Sequence, residues 1–225
     1  MQARPDEAAK IDWRLYFVTD TALCGGPDRV AHVVEQAVLG GAGVIQIRDK
    51  TMTDDEFAQL TRDCILATDR AFDATGRRAA VFVNDRLSIA DRFGLHLHLG
   101  QSDGDPEHAR HVMGEDTLIG LSISNDDQLA AELADPTADV LGISPVWATP
   151  TKKDTDPALG LDGARRIVHT TAGRAVTVGI GGINLDNAAD VIATGVDGIC
   201  VVSAIAAAQA PRAAAARLLS QWRTS

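Results

Sequence analysis

The pentapeptide Gln46-Ile47-Arg48-Asp49-Lys50 follows a short apolar segment and contains residue types suited to binding an anion. If the segment is a β-strand, Gln46, Arg48 and Lys50 lie on one face, because successive side chains of a strand alternate between faces. One amide and two cations on a shared face favour a polyanion as the ligand. The alternative is a solvated, charged strand end without a ligand.

Two carboxylates follow the next two apolar segments of the chain. Asp85 comes after the apolar run 80–83, and Asp103 comes after the run 95–99. On adjacent strands these carboxylates would be close enough to hold a hard divalent cation such as Mg²⁺, with substrate phosphate oxygens completing its shell. The alternative is that each carboxylate caps the helix that follows it.

His96 and His98 alternate along the second of these runs and would share one face of a strand. A zinc pair is one interpretation, although no third ligand stands out. Packing of both rings in the interior of the fold is the alternative.

Two segments near the end of the sequence have the features of a phosphate site. Residues 178–184 and 198–205 each run from an apolar strand pattern into small residues and then into a helical pattern. Small residues expose backbone N–H groups, and a helix start adds the positive end of a dipole. Two such turns on neighbouring strands are typical of the phosphate site after strands 7 and 8 of a (β/α)₈ barrel. The alternative is a pair of tight turns without a ligand.

A polar loop at residues 149–152 offers two hydroxyl groups and a cation: Thr149, Pro150, Thr151 and Lys152. These residue types suit a loop that closes over an anion, and an ordinary exposed loop is the alternative.

Eight apolar runs of strand length alternate with segments of helical pattern. The predicted strands are residues 15–18, 44–47, 80–83, 95–99, 117–121, 140–143, 176–180 and 198–202. Eight strand–helix units close a parallel barrel, and nearly continuous apolar strands are expected when both faces are buried. We therefore predict an α/β fold, a single-domain (β/α)₈ TIM barrel over residues 13–225, after a disordered lead-in at residues 1–12. A doubly wound open sheet is the alternative, because alternation alone does not prove closure.

The composition narrows the classes of partner. The 225 residues include 31 acidic and 21 basic ones, so the formal net charge of −10 disfavours nucleic acid and anionic membranes. No apolar run approaches the ~20 residues of a membrane span. The three cysteines form no CxxC pair, and the N-terminus lacks a signal-peptide pattern. We expect a cytoplasmic protein whose partners are small-molecule substrates, and a homo-oligomer is left open.

Eight motifs, in order along the chain, resemble those of the thiamine-phosphate synthase family in the thiamine synthase/TenI superfamily. They lie at residues 16–20, 46–50, 83–85, 98–103, 120–122, 149–153, 179–183 and 202–205. Eight ordered motifs at compatible spacing are far more specific than any one of them.

The resemblance implies a transferase of thiamine biosynthesis. This family joins 4-amino-5-hydroxymethyl-2-methylpyrimidine diphosphate to a thiazole (carboxylate) phosphate, giving thiamine phosphate and diphosphate. The reaction is thought to proceed by Mg²⁺-assisted departure of diphosphate and attack of the thiazole nitrogen.

The resemblance also implies roles for individual residues. The residues expected to be catalytic are Arg48, Lys50, Ser122 and Lys152. The pyrimidine diphosphate would be held by Gln46, Ile47, Arg48, Asp49, Lys50, Asn84, Ser122 and Lys152. The thiazole phosphate would be held by Thr149, Pro150, Thr151, Gly182, Val202 and Ser203. The Mg²⁺ cofactor would be bound by Asp85 and Asp103.

Two other functions are open within the same superfamily. A thiazole tautomerase would need neither diphosphate nor metal, and a non-catalytic member would bind thiamine phosphate without turnover. The tautomerase is thought to use a histidine where this sequence has Ser124, and a carrier of a monophosphate needs no metal pair. The presence of Lys50, Asp85, Asp103 and Lys152 therefore favours the synthase.

Overall fold

A computed structural model of the chain describes residues 6–148 and 157–223. Eight parallel strands pair in sequence order, and the last pairs with the first, so the sheet closes into a barrel. The strands are β1 (Leu15–Val18), β2 (Val44–Ile47), β3 (Ala80–Asn84), β4 (His96–Leu99), β5 (Ile119–Ile123), β6 (Val140–Ile143), β7 (Val176–Ile180) and β8 (Gly198–Val201). The predicted TIM barrel is confirmed, and the open-sheet alternative is wrong.

Helices fill the connections between the strands. Their bounds are α1 (Asp6–Ala9), α2 (Pro27–Leu39), α3 (Asp54–Thr75), α4 (Leu87–Phe93), α5 (Pro106–Met113), α6 (Asp126–Ala134), α7 (Gly160–Thr171), α8 (Ala188–Ile192), α9 (Ser203–Ala206) and α10 (Pro211–Ser220), followed by a 3₁₀ turn at Gln221–Arg223. Among the helices of residues 6–148 and 157–223, none has both the length and the apolar character needed to cross a membrane.

Side-chain alternation along the strands divides the core into two layers. In β2, Ile45 and Ile47 belong to the cluster between the sheet and the helices, together with Phe57 of α3. Val44 instead belongs to a second cluster, which includes Phe82 of β3 and fills the barrel interior. Burial on both faces explains why the strands read as continuous apolar runs. Polar side chains are therefore concentrated at the strand ends.

The start of α3 is fixed by a capping box directly after the charged segment 46–50. The backbone N–H of Glu56 donates to Thr53 Oγ1 at 3.4 Å, and the backbone N–H of Thr53 donates to Glu56 Oε2 at 2.9 Å. This reciprocal pair satisfies two N–H groups that the first helical turn leaves open. The connection from β2 to α3 is thereby held in one conformation next to the pocket described below.

The first described residues differ from the predicted disordered lead-in. Asp6–Ala9 form α1, and the backbone carbonyl of Ala8 accepts a hydrogen bond from Trp13 Nε1 at 2.8 Å. The Trp13 ring packs edge-on against Phe82, with 6.0 Å between ring centroids. Because Ala8 and Trp13 are buried in the interior cluster, the expectation of disorder is wrong for residues 6–9. Residues 1–5 lie outside the described residues.

Candidate active site

A pocket opens at the C-terminal ends of the barrel strands, where barrels of this class place their active sites. Several residues with predicted functions line it together, although they come from six different strands or the loops after them. They are Gln46, Arg48, Lys50, Asn84, Asp85, Asp103, Ser122, Gly182, Val202 and Ser203.

The pocket has an apolar floor and a charged rim. Val140, Val178 and Cys200 line it from positions within their strands, below the level of the strand ends. At the rim, Arg48 and Lys50 follow the last residue of β2. This arrangement suits a flat ring that carries an anionic group toward solvent.

One cation and two carboxylates meet at the rim. Lys50 Nζ contacts Asp85 Oδ2 and lies 3.3 Å from Asp103 Oδ1. Asn84 Nδ2 donates to the same Asp85 oxygen at 2.6 Å. Partial burial alone would lower the pKa of Lys50, but hydrogen bonds and charge attraction from the two carboxylates outweigh it and raise the pKa. Lys50 is therefore held as a cation, as the sequence predicted for an anion site.

Asp85 adopts a backbone conformation that is unusual for a residue with a side chain. Its φ is +63°, in the left-handed region, which aspartate tolerates better than most residues. The Asp85 N–H donates to the carbonyl of His98 on the neighbouring strand at 2.9 Å. Residues held in such sparsely populated regions cluster at functional sites. Here the strained turn directs the carboxylate toward Lys50.

Arg48 is anchored through its backbone and leaves its guanidinium available. Its N–H donates to Thr19 Oγ1 at 2.9 Å, and this hydroxyl donates to the Arg48 carbonyl at 3.2 Å. Within residues 6–148 and 157–223, the Arg48 guanidinium forms no ion pair with a carboxylate. A cation with no carboxylate partner in the described part of the chain suits an anionic ligand.

Ser122 is contacted by His98, which the sequence suggested either as half of a zinc pair with His96 or as an interior residue. His98 Nε2 lies 3.1 Å from Ser122 Oγ, and Gln101 Nε2 donates to the Ser122 carbonyl at 2.7 Å. The His98 ring fits there because β5 and β6 carry glycines: a Cβ on Gly120 would lie 2.4 Å from the ring, and one on Gly142 would lie 3.2 Å from it. Gly120 and Gly142 are the sequence feature that could have indicated a ring packed against β5 and β6.

His96 lies deeper in the barrel than His98 and has different partners. Its Nδ1 accepts a hydrogen bond from the backbone N–H of Leu118 at 3.2 Å, and its ring centroid lies 4.9 Å from that of Phe82. Burial lowers the pKa of His96 to about 4, so the ring is neutral. The interior-packing interpretation of this histidine is confirmed.

The turn after β7 brings two glycines against the loop after β6. Gly181 and Gly182 have φ values of +107° and +65°, and a Cβ on Gly182 would lie 2.7 Å from Trp147 Cβ. Among the described residues, the N–H groups of Gly182 and Ser203 donate no hydrogen bond. Both residues line the pocket, so two backbone N–H groups without a partner in the described chain lie at its wall, one after β7 and one after β8. Gly182 is thus required by the backbone conformation and by the close contact with Trp147.

Two predicted substrate-binding residues have side chains outside the pocket. Ile47 is fully buried between the sheet and the helices. Asp49 Oδ1 accepts from the N–H groups of Thr51 at 2.7 Å and Met52 at 2.8 Å, closing the turn before α3. Partial burial would raise the pKa of Asp49, but hydrogen bonding with Thr21, Thr51 and Met52 outweighs it and lowers the pKa to about 2. The Asp49 carboxylate therefore stabilises the turn before α3.

Four predicted site residues, Thr149, Pro150, Thr151 and Lys152, lie outside the described residues. The described chain stops before them at Ala148, whose carbonyl would lie 3.1 Å from a Cβ on Gly182.

The carboxylates of Asp85 and Asp103 form a donor set that fits Mg²⁺. In the part of the chain that the structure describes, no group of three or more His, Cys, Asp or Glu side chains is arranged to hold a metal ion. Mg²⁺ does not need such a cage, because it keeps several water ligands and binds through one or two carboxylates plus substrate phosphates. Both carboxylates already contact one shared cation, Lys50 Nζ.

Comparison with known proteins gives consistent results. The family model described as "Thiamine monophosphate synthase" matches residues 15–205. A thiamine-phosphate synthase of Laribacter hongkongensis is 42% identical over 206 residues, which cover 90% of this chain and 92% of that protein. A solved structure of thiamine phosphate pyrophosphorylase from Pyrococcus furiosus aligns with a TM-score of 0.82 at 30% identity, covering 96% of this chain and 98% of that one.

Longer relatives also match. A thiamine biosynthesis multifunctional protein of Corynebacterium efficiens is 42% identical over 218 residues, and this match covers 94% of this chain but only 29% of that protein. The chain therefore spans less than a third of that relative's length. Since the family model covers most of the chain, and a relative of nearly equal extent is 42% identical, the chain belongs to the thiamine monophosphate synthase family.

Proposed function

We propose that the chain is a thiamine-phosphate synthase, which joins 4-amino-5-hydroxymethyl-2-methylpyrimidine diphosphate to a thiazole phosphate. The observation that carries the proposal is the division of the pocket into two anion-binding sides. Cations and carboxylates converge from the ends of β2, β3 and β4, and residues with unused backbone N–H groups line the pocket after β7 and β8. One anionic group on each of two substrates matches this division.

The diphosphate would bind on the side formed by β2 to β4. Arg48 offers a guanidinium that has no carboxylate partner among residues 6–148 and 157–223, and such a group can bind phosphate oxygens through two parallel hydrogen bonds. Lys50 would transfer part of its contact from Asp85 and Asp103 to the diphosphate. Lys152, from the segment outside the described residues, is proposed as a third cation.

Mg²⁺ would be held by Asp85 and Asp103 beside the diphosphate. When bound, the ion would supply electrostatic stabilisation of the negative charge on the leaving group. Lys50 contacts both carboxylates, so its movement toward the diphosphate would leave them open to the metal. The donor chemistry of the two carboxylates supports this assignment.

The thiazole phosphate would bind on the opposite side, at the unused N–H groups of Gly182 and Ser203. Backbone N–H groups that converge on one region make an anion site without any cationic side chain. Thr149 and Thr151 are proposed to contact the thiazole. Anchoring the phosphate would hold the thiazole nitrogen in line with the carbon that it attacks.

The chemistry requires stabilisation of charge more than proton transfer. The bond between the methylene carbon and the diphosphate oxygen breaks, and its electron pair leaves with the oxygen. The thiazole nitrogen then donates its lone pair to form the new C–N bond. Arg48 and Lys50 would stabilise the departing charge. Ser122, held by His98, would lie beside the pyrimidine and its leaving group.

Two-substrate kinetics on Arg48→Met test the division of the pocket. Because the guanidinium would contact the diphosphate alone, we expect the KM for pyrimidine diphosphate to rise at least about tenfold, while the KM for thiazole phosphate changes less than about twofold. Equal effects on both substrates would contradict the assignment. A wild-type chain that isomerises the thiazole but makes no thiamine phosphate would instead indicate the tautomerase.

A further inference from the structure

Tyr16 lies on the floor of the pocket and is held rigidly there. Its side chain is buried, and the residue is 2% exposed. Its ring centroid lies 6.5 Å from that of Trp13 and 5.7 Å from that of Phe82. These contacts from β3 and from the residues before β1 leave the ring little freedom. The phenol oxygen therefore has a defined position in the pocket.

That oxygen binds the amide of Gln46. Gln46 Nε2 donates to Tyr16 Oη at 2.8 Å, across the pair of strands β1 and β2, and Gln46 is 4% exposed. Burial raises the pKa of Tyr16 well above its usual value, so the phenol stays neutral. A neutral, immobile hydroxyl thus fixes one N–H of the amide.

The rest of the amide is available to a ligand. In the part of the chain that the structure describes, no hydrogen bond to Gln46 Oε1 is formed, and Gln46 lines the pocket. An amide presents an acceptor beside a donor, which is the pattern that pairs with an exocyclic amino group next to a ring nitrogen. Because Tyr16 occupies one of the two Nε2 hydrogens, one donor and the acceptor of the amide remain for a ligand.

The depth of Gln46 matches a ring and not a diphosphate. Gln46 precedes Arg48 by two residues on the same face of the chain, which places it about 7 Å deeper. A diphosphate bound by Arg48 and Lys50 at the rim leaves the attached ring at the level of Gln46. Val140 and Cys200 line the same pocket from positions within their strands and give the ring an apolar surface.

We propose that Tyr16 is a positioning residue that holds the Gln46 amide for recognition of the amino group on the pyrimidine ring, an inference that rests on the proposed function. Tyr16 acts through Gln46, so its role is in substrate selectivity. It takes no part in bond breaking.

The test compares Tyr16→Phe with the wild-type chain on two substrates, the natural pyrimidine diphosphate and its analogue without the 4-amino group. We expect Tyr16→Phe to lower kcat/KM for the natural substrate about 5- to 10-fold. The substitution removes the hydrogen bond between Gln46 and Tyr16, and the net contribution of one such bond is modest. The analogue should lose less than about twofold, and the KM for thiazole phosphate should not change. Selectivity for the amino group thus falls.

A double-mutant cycle with Gln46→Met decides whether Tyr16 acts through the amide. If it does, the double variant should have the same selectivity for the 4-amino group as Gln46→Met alone. Thr61→Val is the matched control, because it also removes a buried hydroxyl, which donates to the Phe57 carbonyl at 2.8 Å, and Thr61 does not line the pocket. It should alter the melting temperature alone.

The outcomes are distinct. Equal losses on both pyrimidine substrates, or additive effects of Tyr16→Phe and Gln46→Met, would overturn the inference while leaving the proposed function intact. If Tyr16→Phe does not fold, Gln46→Met alone must still lower selectivity for the amino group, or the inference is wrong. A folded wild-type chain that forms no thiamine phosphate would overturn the proposed function and the inference with it.

Discussion

Lys50 Nζ lies 3.3 Å from Asp103 Oδ1 and also contacts Asp85, so a single side-chain cation stands between the two carboxylates proposed to bind Mg²⁺. The same lysine is proposed to bind the diphosphate. Metal binding and diphosphate binding would therefore be coupled through one side chain, because Lys50 would have to leave the carboxylates for the metal to bind them.

Lys50→Met tests this coupling by direct metal binding. In the absence of substrates, the variant should bind Mn²⁺ up to about fivefold more tightly than the wild type, since a partly exposed ion pair of this kind is worth up to about 1 kcal/mol. Electron paramagnetic resonance of free Mn²⁺ measures the affinity. Lys10→Met, which removes an exposed lysine paired with Glu7, is the control and should have no effect. Unchanged or weaker Mn²⁺ binding by Lys50→Met would contradict the coupling.

Asp103→Asn should remove activity without removing stability. Loss of one carboxylate ligand is expected to lower kcat/KM at least about 100-fold, comparable with the loss of an electrostatic group that stabilises transition-state charge. Asp103 lies at the rim and not in the core, so the melting temperature of the variant should stay close to that of the wild type.

Asp105→Asn is the matched control for the Asp103 variant. Asp105 is the N-cap of α5, where its carboxylate accepts from the Glu107 N–H at 3.0 Å, and asparagine caps a helix equally well. This substitution removes the same charge two residues away and should leave activity intact. Equal losses in both variants would show that net charge, and not metal ligation, is responsible.

Gly182→Ala should damage the thiazole side of the pocket. Its φ of +65° disfavours any side chain, and the added Cβ would lie 2.7 Å from Trp147 Cβ. Gly76→Ala has nearly the same φ, +67°, but its Cβ would meet nothing within 4 Å. Both should lose about 1 kcal/mol of stability from backbone strain. We expect only Gly182→Ala to raise the KM for thiazole phosphate, and a selective rise for pyrimidine diphosphate would contradict the assignment.

Asp49 should contribute stability that depends on pH. Its pKa is lowered to about 2 in the folded chain, so the contribution is present above the ordinary pKa of 3.8 and is lost as the pH falls toward 2. Asp49→Asn resembles the protonated form. The difference in unfolding free energy between wild type and variant should be largest above about pH 5 and should shrink toward pH 2. Substrate KM values that change in Asp49→Asn would restore the binding role predicted from the sequence.

Much of the fold follows from apolar patterning. The bounds of β1, β2, β6 and β7 agree with the predicted strands, because their runs are buried on both faces and flanked by polar or small residues. The fifth strand begins at Ile119 and not at residue 117, because the Thr117 hydroxyl donates to the Met113 carbonyl at the end of α5. A side-chain contact of this kind is invisible to periodicity.

The part of the site that lies at the ends of neighbouring strands could be predicted from the sequence. Lys50, Asp85 and Asp103 meet because parallel neighbours end at the same edge of the barrel. The contact of His98 with Ser122 was not predictable in the same way, since it depends on space left by glycines on two other strands. The Asp49 carboxylate is used by its own turn, which only the local backbone geometry reveals.

The most direct test of the central claim is product formation by the purified chain. Pyrimidine diphosphate, thiazole phosphate and Mg²⁺ are incubated with the protein, with an EDTA-treated sample in parallel, and both products are quantified over time. We predict thiamine phosphate and diphosphate in equal amounts, and neither product in the chelated sample. Folded protein that forms no thiamine phosphate under either condition would contradict the proposed function, and product that is indifferent to EDTA would contradict the assignment of Mg²⁺ to Asp85 and Asp103.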